Sequence, residues 1–122
     1  MRKLFFAFLL LLGATLASAE EISSIETRNG WVYLYNARGS RYRTLSLSST
    51  GNVVGYSSTF FVTEKGGWIY LYDADGRRYK TLAQSSVGNV TGVAGDTFTS
   101  RKGNWIYTWD KTGKRLNTRA AR

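Results

Sequence analysis

The chain has 122 residues with no histidine, cysteine or proline, which removes Ser-His-Asp and Cys-His catalysis, ordinary zinc sites, disulfides and a lipid-anchored cysteine. Its 17 Lys and Arg residues against 8 Asp and Glu give a net charge of +9 at pH 7. That balance suits contact with nucleic acid, anionic lipid or acidic polysaccharide, or simple solubility and protected sheet edges.

Taken from the start, Arg2 and Lys3 precede nine apolar residues, Leu4 to Leu12, and then Ala17-Ser18-Ala19. This predicts a signal peptide over residues 1–19 with cleavage after Ala19. The apolar run is too short for a span, which needs about 20 residues. The expected product, residues 20–122, is a single domain of 103 residues with 15 basic and 8 acidic side chains. It is expected to be exported, periplasmic or secreted, with no membrane span after cleavage.

Trp31, Trp68 and Trp105 stand 37 residues apart each time, and the residues around them repeat. Glu20 to Glu26 is a lead-in whose apolar residues are Ile22 and Ile25, and Arg28-Asn29-Gly30 signals a turn. Trp31–Tyr35, aromatic and β-branched, reads as a strand. Asn36-Ala37-Arg38-Gly39 turns the chain, and Arg41–Ser46 returns it. Ser48 to Asn52 links to a complete unit of four short strands: Val53–Tyr56, Phe60–Glu64, Trp68–Asp73 and Arg78–Leu82. Gly88, Asn89 and Gly92 then match Gly51, Asn52 and Gly55 without an insertion. The repeats run over about 20–52, 53–89 and 90–122. The first lacks the opening strand and the third ends with its hairpin. Every position can donate to a ladder, because proline is absent. The expected fold is all-β, three antiparallel meander repeats.

Alternation along Trp68–Tyr72 puts Trp68, Tyr70 and Tyr72 on one face, Ile69 and Leu71 on the other. Trp31, Tyr33 and Tyr35 oppose Val32 and Leu34 in the first copy; Trp105, Tyr107 and Trp109 oppose Ile106 and Thr108 in the third. With both faces apolar, each unit should be sandwiched, its aromatic face against the aliphatic face of a neighbour. At strand period the Trp-Tyr-Tyr stripes are expected to be core, with stacking on sugars or bases as the alternative.

Trp105-Ile106-Tyr107-Thr108-Trp109-Asp110-Lys111-Thr112-Gly113-Lys114 resembles the hairpin of PQQ-like and WD40-like β-propeller blades. Val90-Thr91-Gly92-Val93-Ala94-Gly95-Asp96 is similar to the strand and turn that open such a blade. The resemblance implies propeller-like blades in a partial propeller, or one completed by a dimer, since propellers close with four to eight blades. No site residues match, so it implies no cofactor. Trp68 to Gly76 is also similar in pattern to a strand of bulb-lectin β-prisms, which implies a three-fold prism as the alternative closure. The mannose motif of that family, Gln-x-Asp-x-Asn-x-Val-x-Tyr, meets Glu64, Gly66, Trp68 and Tyr70 before Tyr72. Only the tyrosine is retained.

Catalysis, a metal and a cofactor are not expected. Asp73-Ala74-Asp75-Gly76 has the look of a calcium-loop fragment, but its copies carry Asn36 with Arg38 and Asp110 with Thr112, so a hairpin turn is the expectation. The ligand-binding candidates are Trp31, Trp68 and Trp105, with Arg41, Arg78 and Arg115, which align on the last strand of each unit. There the arginines either discourage edge pairing or form a basic rim. The leading functional expectation is a non-enzymatic protein acting by self-assembly or partner binding, for instance a homodimer that completes a six-unit ring. Thr108, in place of leucine, makes the last aliphatic face more polar, as a cap would be. A carbohydrate-binding module and a basic module for an anionic polymer or nucleic acid are the alternatives.

Overall fold

The computed structural model describes residues 20–121; the predicted signal peptide lies outside them. The first sheet contains β1 (Ser24–Arg28), β2 (Trp31–Tyr35) and β3 (Arg41–Ser46). The second contains β4 (Asn52–Tyr56), β5 (Phe60–Lys65), β6 (Trp68–Asp73) and β7 (Arg78–Ala83). The third contains β8 (Asn89–Ala94), β9 (Thr97–Lys102), β10 (Trp105–Asp110) and β11 (Arg115–Ala120). Each sheet is an antiparallel meander in chain order, and the first is one strand short. Two expectations are refined. The lead-in is itself a strand, β1, because Ser24 to Arg28 pair with Tyr35 to Trp31. The links between sheets are single helical turns, α1 (Leu47–Thr50) and α2 (Gln84–Val87). Gly51, at φ 82°, ends the first; a Cβ there would lie 2.5 Å from the Glu64 carbonyl oxygen.

Two cores hold the sheets together. Val32 and Leu34 pack with Ile22 against Phe61 and Tyr72, joining sheets one and two. Phe60, Val62, Ile69 and Leu71 pack with Val87 against Phe98, Tyr107 and Trp109, joining sheets two and three. Aliphatic face meets aromatic face both times, as the alternation predicts. Each core joins consecutive sheets, so the arrangement is an open stack of blade-like meanders. The prism alternative is corrected on that ground, since a prism gathers three sheets about one axis.

Within the aromatic faces, Phe61 stacks on Tyr72 with centroids 4.8 Å apart, and Phe98 on Trp109 at 5.9 Å. The indole N–H of Trp109 donates to Ser100 Oγ at 2.9 Å, and Ser100 Oγ–H donates to the Val87 carbonyl at 2.7 Å. Thr63 is the counterpart of Ser100 beside Tyr72, which has no indole to offer. Its buried hydroxyl has no hydrogen-bond partner among the described residues.

Tyrosines fasten each sheet to the turn of the next. Tyr42 Oη–H donates to the Ala74 carbonyl at 2.7 Å, and Tyr79 Oη–H donates to the Lys111 carbonyl. Leu116 occupies the same place in the third sheet, where no further sheet follows among the described residues, and it is 54% exposed. Burial, then Glu20, Asp75 and Asp73, pushes the Tyr42 phenol up to about 12. Burial, then Asp73 and Asp110, does the same to Tyr79, also to about 12.

Because an unpaired buried hydroxyl costs about 1–3 kcal/mol, Thr63→Val is expected to raise stability by about 1 kcal/mol in urea unfolding, with an unchanged m-value. The tyrosines give a pH dependence. Their raised folded pKa contributes stability that is full below pH 10, where the unfolded phenol is also neutral, and is lost as pH rises through about 12. Thermal midpoints should fall over that window, and the Tyr42→Phe/Tyr79→Phe double variant should show a shallower fall.

Candidate functional site: a repeated tryptophan–cation surface

The three repeated tryptophans open β2, β6 and β10, and they are exposed: Trp31 47%, Trp68 48% and Trp105 51%. The expectation that the whole stripe is core is therefore corrected for its first residue. Tyr72 and Trp109, at the far end of the stripe, are buried under the neighbouring sheet or against it. The aliphatic patch that covers the aromatic face of the second sheet, Val32 and Leu34, lies opposite Phe61 and Tyr72. Trp68 and Trp105 belong to neither core, and Trp31 lies on the aromatic face of the first sheet, which no described sheet covers.

Register supplies each tryptophan with the same neighbours. Arg28 lies directly across from Trp31, Lys65 from Trp68 and Lys102 from Trp105. On the other side the cross-strand residues are small: Ser46, Ala83 and Ala120. Directly opposed side chains in a sheet stand about 4.5–5.5 Å apart at Cβ, so each tryptophan has a basic residue as its cross-strand neighbour on one side and a small residue on the other. The charged ends reach further: the Lys65 ammonium donates to the Ser48 carbonyl, and the Arg28 guanidinium lies over Tyr33 and pairs with Glu26. Two-residue turns create this register; Asn29 and Gly30 take positive φ of 53° and 87° to make the first.

One step along the strand, the candidate arginines lie over tyrosine rings. The guanidinium of Arg41 is 4.6 Å from the Tyr33 centroid, that of Arg78 is 4.4 Å from Tyr70, and that of Arg115 is 4.7 Å from Tyr107. Arg28 approaches Tyr33 from the other side at 5.1 Å. Cation–π contact of this kind is worth about 0.5–1 kcal/mol at exposed positions. Thr44, Thr81 and Thr118 stand across from the same tyrosines and are exposed, adding a hydroxyl to each set. Among the described residues the ion pairs are Arg28–Glu26, Arg77–Asp75 and Lys111–Asp96. Arg41, Arg78 and Arg115 thus face their rings with no carboxylate in contact. They lie on β3, β7 and β11, the outer edge strands, as expected.

The structure brings each candidate tryptophan and arginine onto one face of its own sheet, with a tyrosine between them. Sequence reasoning missed Arg28, Lys65, Lys102 and the three threonines. Their 37-residue spacing was visible, but which of them face the tryptophans depends on turn geometry.

The acidic turn has a structural role. Asp73 Oδ1 accepts from the N–H groups of Asp75 and Arg77, each at 3.0 Å. Asn36 and Asp110 do the same in the other copies. The Thr112 hydroxyl, donating at 2.6 Å, and the Lys114 N–H hold the Asp110 carboxyl below the usual carboxylate range. A comparison with known proteins found no matching family model and no matching curated sequence.

Three of the four tryptophans face water, and Trp109 is buried with its N–H engaged. Iodide should quench the emission of the three and spare Trp109. It should quench better than caesium, because a basic residue stands across the strand pair from each exposed indole.

Proposed function

We propose that this chain is an exported, non-enzymatic binding module that lays an extended acidic polysaccharide along the row of exposed tryptophans. The observation that carries the reading is the threefold recurrence of an exposed indole with a cation across from it. Stacked sheets lie about 10 Å apart, so equal positions on successive sheets make a regular row suited to a polymer with repeating units. The indoles supply faces for sugar rings, the cations supply charge for acidic substituents, and the threonines supply hydroxyls for hydrogen bonds. Three modest contacts on one chain combine through effective concentration. The exported product, with 15 basic and 8 acidic side chains, has a net charge of +7, which favours the same class of ligand.

The assembly reading has less support, because both end faces carry polar replacements. On the first sheet, Ser24 and Glu26 stand where the second has Phe61 and Thr63. On the third, Thr97, Thr99 and Thr108 stand where the second has Phe60, Val62 and Leu71. Polar outer faces are how terminal repeats remain soluble. In this reading the likeness to PQQ-like and WD40-like blades describes how the meanders stack and brings no cofactor.

Affinity measured against acidic and neutral polysaccharides tests the proposal. Acidic chains should bind, with affinity falling as salt rises. Trp68→Ala should weaken binding about 5- to 30-fold, the equivalent of about 1–2 kcal/mol. The triple tryptophan variant should abolish it while the circular dichroism stays unchanged. Retention unaltered by the triple change, or a preference for single-stranded nucleic acid over every glycan, would replace this reading.

A further inference from the structure

The first sheet is short of the strand that β4 and β8 provide in the other two. By the 37-residue register, Ser24–Arg28 is the counterpart of Phe61–Lys65 and of Phe98–Lys102. β4 pairs with the strand containing Phe61, and β8 with the strand containing Phe98. Among the described residues β1 has a ladder with β2 alone, so its other edge presents unpaired backbone N–H and C=O groups. Beside that edge lies an open cleft of about 270 Å³, lined by Ile25 and Thr27 of β1 and by Val53, Val54, Gly55 and Tyr56 of β4.

The filled places show what such a cleft accepts. Val54 faces the third sheet and packs on the core there, and the following Gly55 is pressed against β8. A Cβ on Gly55 would lie 2.6 Å from Val93 Cγ2. In the third sheet, with no sheet beyond it among the described residues, the counterpart of Val54 is Thr91, exposed and sharing a hydrogen bond with Thr99 at 2.9 Å. A Cβ on Gly92 would find Thr99 Oγ1 no nearer than 3.7 Å. An apolar residue followed by glycine is therefore what an inner strand needs when another sheet lies against it. A strand beside β1 has the second sheet against it, with Tyr56 at the place Val93 takes opposite Gly55.

The approach to β1 also differs from the approach to β5. The chain turns from β4 into β5 through Ser57-Ser58-Thr59, with the Ser57 N–H donating to the Phe60 carbonyl at 2.9 Å. Ile22, the counterpart of Thr59, is instead buried in the core between sheets one and two, and its N–H donates to the Ser58 carbonyl at 2.9 Å. That anchorage draws the lead-in onto the second sheet and does not repeat the turn that supplies an inner strand.

We propose that the free edge of β1 is a peptide-binding slot, which takes an extended segment of a partner protein by antiparallel strand addition. The segment carries an apolar–glycine step, the apolar side chain entering the cleft and the glycine lying against Tyr56. Backbone ladder bonds supply affinity, and the cleft with its glycine requirement supplies selectivity.

The test uses a synthetic peptide copying Asn52–Tyr56, Asn-Val-Val-Gly-Tyr, and the same peptide with its glycine changed to valine. Both are titrated onto the full chain and onto the chain from Glu20, with hydrogen exchange followed at β1. The expected result on the chain from Glu20 is saturable binding, slowed exchange over Ser24–Arg28, and binding at least about tenfold weaker for the valine peptide. No binding, or equal binding of both peptides without protection of β1, overturns the proposal. Protection of β1 without peptide overturns it as well: in the full chain alone it assigns the slot to residues 1–19, and with a doubled mass it assigns the slot to a second copy.

Discussion

Everything in this molecule rests on the contact between the aliphatic face of one meander and the aromatic face of the next. No disulfide is available to share the load, as the chain has no cysteine. Single short sheets are marginal in water, and a fully buried Leu, Ile, Val or Phe side chain contributes about 1.5–3 kcal/mol. Leu34, Phe61, Phe60, Ile69 and Leu71 are all completely buried in these two contacts. The second sheet is central because it alone gives a face to each core.

That contact governs the smaller features around it. Close approach of the inner strands demands Gly55, and the turn glycine Gly76 sits against the side chains of Arg43 and Leu45 of the sheet before it. Tyr42 and Tyr79 reach out of one sheet to hold the turn of the next. Where the stack ends, the same positions change character: tyrosine becomes Leu116, and Val62 and Leu71 give way to Thr99 and Thr108. The ends of the stack are marked in the chemistry of its terminal faces.

The surface is the other product of the repeat. Side chains at the start of β2, β6 and β10 lie outside the packed zone, so the indoles are free of the core and recur once per sheet. Cross-strand pairing sets a basic residue opposite each, and arginine on the edge strand covers the next tyrosine. In the second and third sheets the first residue of the aromatic stripe is open to water and the last is buried.

Much of the fold was legible in the sequence. The 37-residue period, the two-residue alternation and the turn residues together determined an all-β chain of three meanders, the first lacking its opening strand, with aliphatic packed on aromatic. These are local properties, set by strand pleat and turn chemistry. The candidate tryptophans and arginines were also visible as aligned positions. Only the tertiary structure decided between stack and prism, because that depends on which sheets share a core. It alone showed Trp68 exposed and Tyr72 buried, since both have the same alternation and differ only in what lies opposite. Pairing of Lys65 with Trp68 likewise came from the register of a turn. So did the strand identity of Ser24–Arg28, whose polar residues give little β signal and which is held by its ladder to β2. Period and alternation are written in the chain; coverage is a property of the neighbours.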